Sequence, residues 1–70
     1  MRFLFSSPDE NLVENLSEQM IKAGVPCEIR SRFGKKGKTD VCYTELWVRE
    51  DVQLQWAIDL LAMFCEVGRN

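Results

Sequence analysis

Five of the nine basic residues lie between positions 30 and 38, a stretch without any acidic residue. Three of them are lysines with glycines among them: Lys35, Lys36 and Lys38. Glycines free backbone N–H groups that can bind a phosphate beside lysine ammonium groups. Gly37–Thr39 resembles the end of a P-loop, although Arg32 occupies the position of the first glycine of that motif. The stretch therefore predicts either an anion or nucleotide site, or a solvated turn that its lysines keep soluble.

The cysteines give little support for a chemical site. Cys27, Cys42 and Cys65 have no spacing that suits zinc or a redox motif. Cys27 and Cys42 fall on neighbouring predicted strands, so they form either a thiol or metal site or two small core residues. The chain contains no histidine, the usual general base. We therefore expect no catalytic residue, no metal site and no cofactor.

Length and composition predict a single domain over residues 1–70. The chain has 46% hydrophobic and 29% charged residues, which is typical of a globular protein. Its net charge of −2 argues against general nucleic-acid affinity. No apolar run approaches the roughly 18 residues that cross a membrane, and no signal peptide is recognised. With cysteines that look reduced, the expected location is the cytoplasm, without membrane contact.

Strand and helix signals indicate the elements that would position these residues. Arg2–Ser6 has the pattern of a first strand. Ser7–Glu10 predicts a capping box with Ser7 as the N-cap of the first helix. Apolar residues at helical spacing continue to about Ala23, and Gly24 suits the position just after a helix end.

The second half of the chain predicts a hairpin and a second helix. Val25–Arg32 has alternating side chains typical of a strand, and Phe33–Asp40 has the composition of a turn. Val41–Val48 is rich in β-branched and aromatic residues and predicts the central strand. A helix is expected over residues 51–66, ended by Gly68. It is apolar over most of its circumference, which indicates deep burial or a partner.

The element order β-α-β-β-α predicts an α+β fold, a two-layer sandwich. Because a β-α-β unit crosses right-handed, the simplest sheet has three antiparallel strands in the order 1-3-2. Both helices then lie on one face, in a ferredoxin-like split β-α-β arrangement.

Period-two alternation divides the central strand between the two sheet faces. The set without a charged residue should face the helices: Cys42, Thr44, Leu46 and Val48. The uncovered face would then carry the candidate partner surface, Tyr43, Trp47, Arg30 and Arg32. Phe3 and Phe5 are expected to share one face of the first strand. Aromatic residues on a bare face indicate self-association or a protein partner, and the alternative is a monomer whose rings lie flat among charged groups.

Most of the chain also resembles a known family. The segments concerned are Arg2–Ser6, Asp9 through the first helix, Ala23–Arg30, Glu45–Val48, Ala57 and Leu60–Ala62. They are similar to short bacterial proteins described as prokaryotic signal-transducing proteins, a domain of unknown function grouped with the PII-like (GlnB-like) ferredoxin-like folds. The resemblance implies this fold and a role in signalling. PII-like proteins are trimers with a long regulatory loop where this chain has the short segment Phe33–Asp40.

Together these features favour a small, non-catalytic interaction or regulatory module. Its partner surface would be the uncovered sheet face, used for a protein partner or for self-association. The alternative is binding of a small anionic ligand or nucleotide at the basic hairpin of residues 33–40. If the first strand lies at a sheet edge, it could also accept a strand from another chain.

Overall fold

The computed structural model describes residues 1–67, without the side chains at positions 36 and 65–67. Its elements follow in the order β1 (Arg2–Ser7), α1 (Glu10–Lys22), β2 (Cys27–Lys36), β3 (Thr39–Val48), a short 3-10 helix (Asp51–Gln53) and α2 (Leu54–Val67). The strands form one antiparallel sheet in the order β1-β3-β2, and both helices pack on one of its faces. The predicted α+β sandwich with strand order 1-3-2 is confirmed, and it is compatible with a ferredoxin-like arrangement. The predicted helix end at Gly68 lies outside the described residues.

Helix α1 begins later than the capping box predicts. The N-cap is Asp9, whose carboxylate accepts a hydrogen bond from the Leu12 N–H at 3.2 Å. Ser7 ends β1 and pairs with Thr44, and its Oγ accepts a hydrogen bond from the Asp9 N–H at 3.0 Å. The prediction of Ser7 as N-cap is wrong, because sheet pairing holds Ser7 in the strand and leaves capping to Asp9.

The end of α1 is as predicted. Gly24 has a φ of +97°, a conformation that side chains with a Cβ disfavour. Its N–H donates to the Ile21 carbonyl, and the Val25 N–H donates to the Met20 carbonyl at 2.9 Å. These bonds satisfy carbonyls that a helix end leaves free, and they turn the chain directly towards β2.

The core lies between the helix layer and the sheet. Its buried apolar side chains come from both helices, from β3 and from the entry to β2: Val13, Leu16, Met20, Val25, Leu46, Val48 and Ala57. These residues form two neighbouring groups, one of Met20, Val25, Val48 and Ala57 and the other of Val13, Leu16 and Leu46. Leu4, Leu61 and Phe64 pack against both groups. Leu46 and Val48 both lie on β3 and pack with residues of α1 and α2, so the central strand anchors both helices.

The β2–β3 hairpin is longer than the sequence suggests. Its pairs run from Cys27 with Val48 to Lys36 with Thr39, so the turn consists of Gly37 and Lys38 alone. The prediction of a turn over residues 33–40 is wrong. Gly37 has a φ of +66°, which closes a two-residue hairpin turn, and the neighbouring residues then remain in the ladder.

Strand β1 contains an irregularity that changes which side chains share a face. Phe3 pairs with Trp47 and Phe5 pairs with Leu46, so Leu4 is an extra residue without a partner on β3. Such a bulge shifts the alternation by one position. Phe3 therefore lies on the face opposite the helices, while Leu4 and Phe5 both pack against the core. The prediction that Phe3 and Phe5 share a face is wrong.

Helix α2 is only partly buried. Ala57 is fully buried, and Leu54, Leu60, Leu61 and Phe64 pack around it. Outside this stripe the exposed apolar residues are Trp56, Ile58 and Met63. Of the two interpretations that the sequence allows, deep burial is thus excluded for the described part of α2.

No helix within residues 1–67 has the length and hydropathy to cross a membrane.

Candidate interaction surface

The open face, as we call the sheet surface opposite the helices, is set by the strand register. Its side chains come from all three strands: Phe3, Ser6, Glu28, Arg30, Arg32, Val41, Tyr43, Glu45 and Trp47. The predicted division of β3 is confirmed at Thr44, Leu46 and Val48, which are buried under the helices. Tyr43 and Trp47 lie on the open face and are each half-buried. Cys42 has the predicted orientation but is exposed, because the hairpin extends beyond the helices.

Trp47 lies on the central strand of this face, one residue before the end of β3, and three side chains contact it. The Phe3 ring meets it edge-on, with 5.6 Å between ring centroids and 76° between ring planes. The Arg30 guanidinium carbon lies 5.1 Å from its ring centroid, within cation–π range. Its indole N–H donates to Glu45 Oε1 at 3.1 Å. These contacts fix the orientation of the ring while leaving part of it accessible to solvent.

The arginines on the open face are each engaged with a carboxylate. Arg30 Nε donates to Glu28 Oε2 at 2.8 Å, and Arg32 Nε lies 3.5 Å from Glu45 Oε2. Glu28 Oε1 also lies 3.8 Å from Arg49 Nη2. Exposed pairs of this kind add little to stability, but they balance the charges of the face and orient its side chains.

Tyr43 lies further along β3 towards the hairpin turn. Tyr43 pairs with Arg32 on β2, and Gly34, two residues after Arg32, lies diagonally opposite Tyr43. A Cβ at Gly34 would lie 4.0 Å from the Tyr43 ring, so the ring extends over the space that this glycine leaves open. The structure therefore brings all four predicted partner-surface residues, Tyr43, Trp47, Arg30 and Arg32, to one face.

In the folded hairpin, acidic residues of β3 lie next to the basic residues that are close together in the sequence of β2. Lys35 is a strand residue paired with Asp40, Lys36 is the last residue of β2, and Lys38 lies in the turn. Acidic residues from β3 thus lie beside the basic residues of β2. The local run of positive charge is interrupted by this pairing, and the turn is shorter than a phosphate-binding loop. An anion site here stays a prediction, which amide chemical shifts of Gly34–Thr39 on addition of inorganic phosphate would test.

Cys27 and Cys42 do not form a joint site. Cys27 pairs with Val48, whereas Cys42 pairs with Phe33, six residues further along β2. Six strand residues span roughly 20 Å, so the hypothesis of a shared thiol or metal site at these two residues is wrong. Burial raises the pKa of the Cys27 thiol, and its Sγ lies 3.4 Å from the Val25 carbonyl oxygen. Among the described residues no three metal-binding side chains cluster, and these residues enclose no pocket.

The sequence reasoning missed Phe3 as a member of the site. Its side chain is 47% exposed and completes the aromatic pair with Trp47. No sequence signal marks the bulge at Leu4, since the segment alternates as any short strand does. Phe33, which the sequence placed in a turn, is instead a residue of β2 and is 79% exposed on the other face of the sheet.

Comparisons with family models, with curated proteins and with solved structures return no match for this chain. The resemblance to prokaryotic signal-transducing proteins therefore stays a prediction based on the segments named above.

Proposed function

We propose that this protein is a small, non-catalytic interaction module that binds a protein partner through the open face. The observation that carries the proposal is the arrangement at Trp47, where Phe3 and Arg30 hold a partly accessible indole on the central strand of a sheet face that nothing in residues 1–67 covers. Tryptophan, tyrosine and arginine are the residues that contribute most to binding energy at protein interfaces. A surface whose side chains are already ordered loses less conformational entropy when a partner binds.

The charge pattern supports a protein partner over a nucleic acid. The arginines of the open face already contact Glu28 and Glu45, so phosphate groups would have to compete with these carboxylates. Nucleic-acid binding depends mainly on unpaired positive charge near the phosphate backbone. A partner with its own mixed charges and an apolar centre fits this surface better.

A regulatory role in cytoplasmic signalling is the further part of the proposal. It rests on the resemblance in sequence to prokaryotic signal-transducing proteins and on the fold, which is compatible with theirs. The two-residue turn between β2 and β3 differs from the long regulatory loop of PII-like proteins. We therefore propose a role that depends on the open face and not on a loop at the hairpin, since fold alone does not determine function.

Capture experiments with three variants test the proposal. Immobilised wild-type protein is incubated with a lysate of cells that express the chain, and bound proteins are identified by mass spectrometry. Trp47→Arg should weaken capture of a specific partner at least about tenfold, as truncation of an interface hot spot does. Arg32→Ser should weaken it too, and because Arg32 is largely exposed this change leaves the fold intact.

Phe33→Arg is the matched control, since it changes an exposed aromatic residue that pairs with Cys42 on the other face of the sheet. It should capture the partner as the wild type does. Circular dichroism of each variant checks the fold. If Trp47→Arg unfolds the protein and Arg32→Ser has no effect on capture, Trp47 is a core residue and the proposal fails.

A further inference from the structure

The two edges of the sheet differ in how they are protected. Within residues 1–67 nothing pairs with the outer edge of either β1 or β2. Strand β2 is entered through Pro26 and carries Arg30, Arg32 and Lys35, and both proline and charged side chains discourage pairing at an edge. Strand β1 carries a single charged residue, Arg2. The main-chain N–H and C=O groups on the outer side of β1 are therefore the better site for a further strand.

We propose that a second copy of this chain pairs with β1, antiparallel to it, to form a continuous six-stranded sheet. The register that the bulge imposes on β1 favours this pairing. Phe3 and Ser6 pair with Trp47 and Glu45 and so lie on the open face, whereas Leu4 and Phe5 face the core. When Phe3 is opposite Ser6 of the second copy, Leu4 is opposite Phe5, and every residue of β1 faces the same side as its counterpart.

A shift of one residue in either direction destroys this match. Leu4 would then lie opposite Ser6, or Phe3 opposite Phe5, and each pair would combine a core-facing with an open-face side chain. A slip of one residue exchanges the two faces of a strand, and the register described above is the only one that pairs all six residues of β1. The same register places Arg2 opposite Ser7 of the second copy, two residues before the Asp9 carboxylate, so the ends of the pairing attract each other.

Helix α2 provides a second contact over the same symmetry axis. The axis passes between Leu4 and Phe5, and Leu61 packs in the cluster that contains both residues. Trp56 lies against Gly24 at the end of α1. Ile58 is about 200° around the helix from Trp56 at 100° per residue, and it is 44% exposed. Ile58 and the exposed, small Ala62 thus lie on the flank away from α1, where Ala62 allows the two α2 helices to approach closely.

Light scattering after size exclusion, over a range of protein concentrations, tests the pairing. The wild type should be a dimer that dissociates on dilution. Ala62→Arg adds bulk and charge on the flank of α2 and should give a monomer with unchanged helix content. The matched control is Asn15→Arg, the same replacement at an exposed position of α1, and it should leave the dimer intact. A wild type that is monomeric at millimolar concentration would overturn the pairing.

The wild type alone gives an independent test by NMR. In a mixture of isotope-labelled and unlabelled protein, interchain nuclear Overhauser effects should join Phe3 with Ser6 and Leu4 with Phe5. Contacts between Trp47 rings of the two copies would instead show pairing through the open face and refute the β1 register. The proposed dimer is independent of the proposed function, because pairing through β1 leaves Trp47 accessible. If the protein proves to be a monomer, the capture experiment with Trp47→Arg still tests the open face.

Discussion

At the scale of single residues, Asp9 shows how one hydrogen bond decides where an element begins. Its carboxylate caps α1 by accepting from the Leu12 N–H, while Ser7 makes a separate bond to the Asp9 N–H. Asp9→Ala should lower the free energy of unfolding by about 1 kcal/mol, a usual cost for loss of an N-cap. Ser7→Ala should cost less, and urea denaturation measures both. A larger loss for Ser7→Ala would mean that the helix starts where the sequence suggests.

Cys27 provides a pH-dependent test of the buried side of β2. Burial raises the pKa of its thiol above the ordinary value of 9.0, so less of the reactive thiolate is present at a given pH. Alkylation of Cys27 by iodoacetamide, followed by peptide mass mapping, should therefore be slower in the folded protein than in urea-unfolded protein at pH 8, with a higher pH midpoint. Urea-unfolded protein is the control. A folded-state midpoint at or below that of unfolded protein would show that Cys27 is not desolvated.

At the scale of elements, the junction between α1 and β2 depends on Gly24. Gly24 has a φ of +97°, which a residue with a side chain rarely adopts, and a Cβ at this position would lie 3.5 Å from the Trp56 ring. Gly24→Ala should thus destabilise the fold by about 1 kcal/mol or more. Gly37→Ala is the matched control, because it places the same side chain at a positive φ, of +66°, where nothing lies within 4 Å of the Cβ. Thermal unfolding of both variants should show the larger loss at Gly24.

The elements that the sequence predicted well are those with local chemical signals. The cap glycine Gly24, the apolar stripe of α1 and the alternation from Thr44 to Val48 all depend on neighbours along the chain. The extension of β2 to Lys36 depends instead on pairing with β3, which outweighs the preference of its glycine and lysines for a turn. The bulge at Leu4 depends on packing against α1 and α2, and no feature of the neighbouring sequence predicts it.

The same distinction applies to the candidate site. Alternation placed Tyr43 and Trp47 on one face, and the structure agrees, because period two is a local property of a strand. The contribution of Phe3 required the bulge, and the pairing of Arg32 required a carboxylate from the neighbouring strand, Glu45, whereas Glu28 lies only two residues from Arg30 on β2. A sequence therefore indicates which types of side chain a surface has more readily than how their charges combine.

At the scale of the whole molecule, the Cα positions of the described residues span 39 × 32 × 16 Å. The shortest dimension accommodates one sheet and one helix layer, since packed layers lie roughly 10 Å apart. Within this part of the chain nothing covers the open face. We propose that this face, with Trp47 on its central strand, is the surface that a partner covers.

The chain's two tryptophans test this claim in one experiment. Trp47 lies on the open face and Trp56 lies on α2, so a protein labelled with 5-fluorotryptophan gives one fluorine signal for each surface. Spectra recorded in buffer and in a concentrated lysate of the expressing cells would be compared. If a partner covers the open face, the Trp47 signal should shift or broaden in lysate while the Trp56 signal stays unchanged. A change confined to Trp56, or no change in either signal, would contradict it.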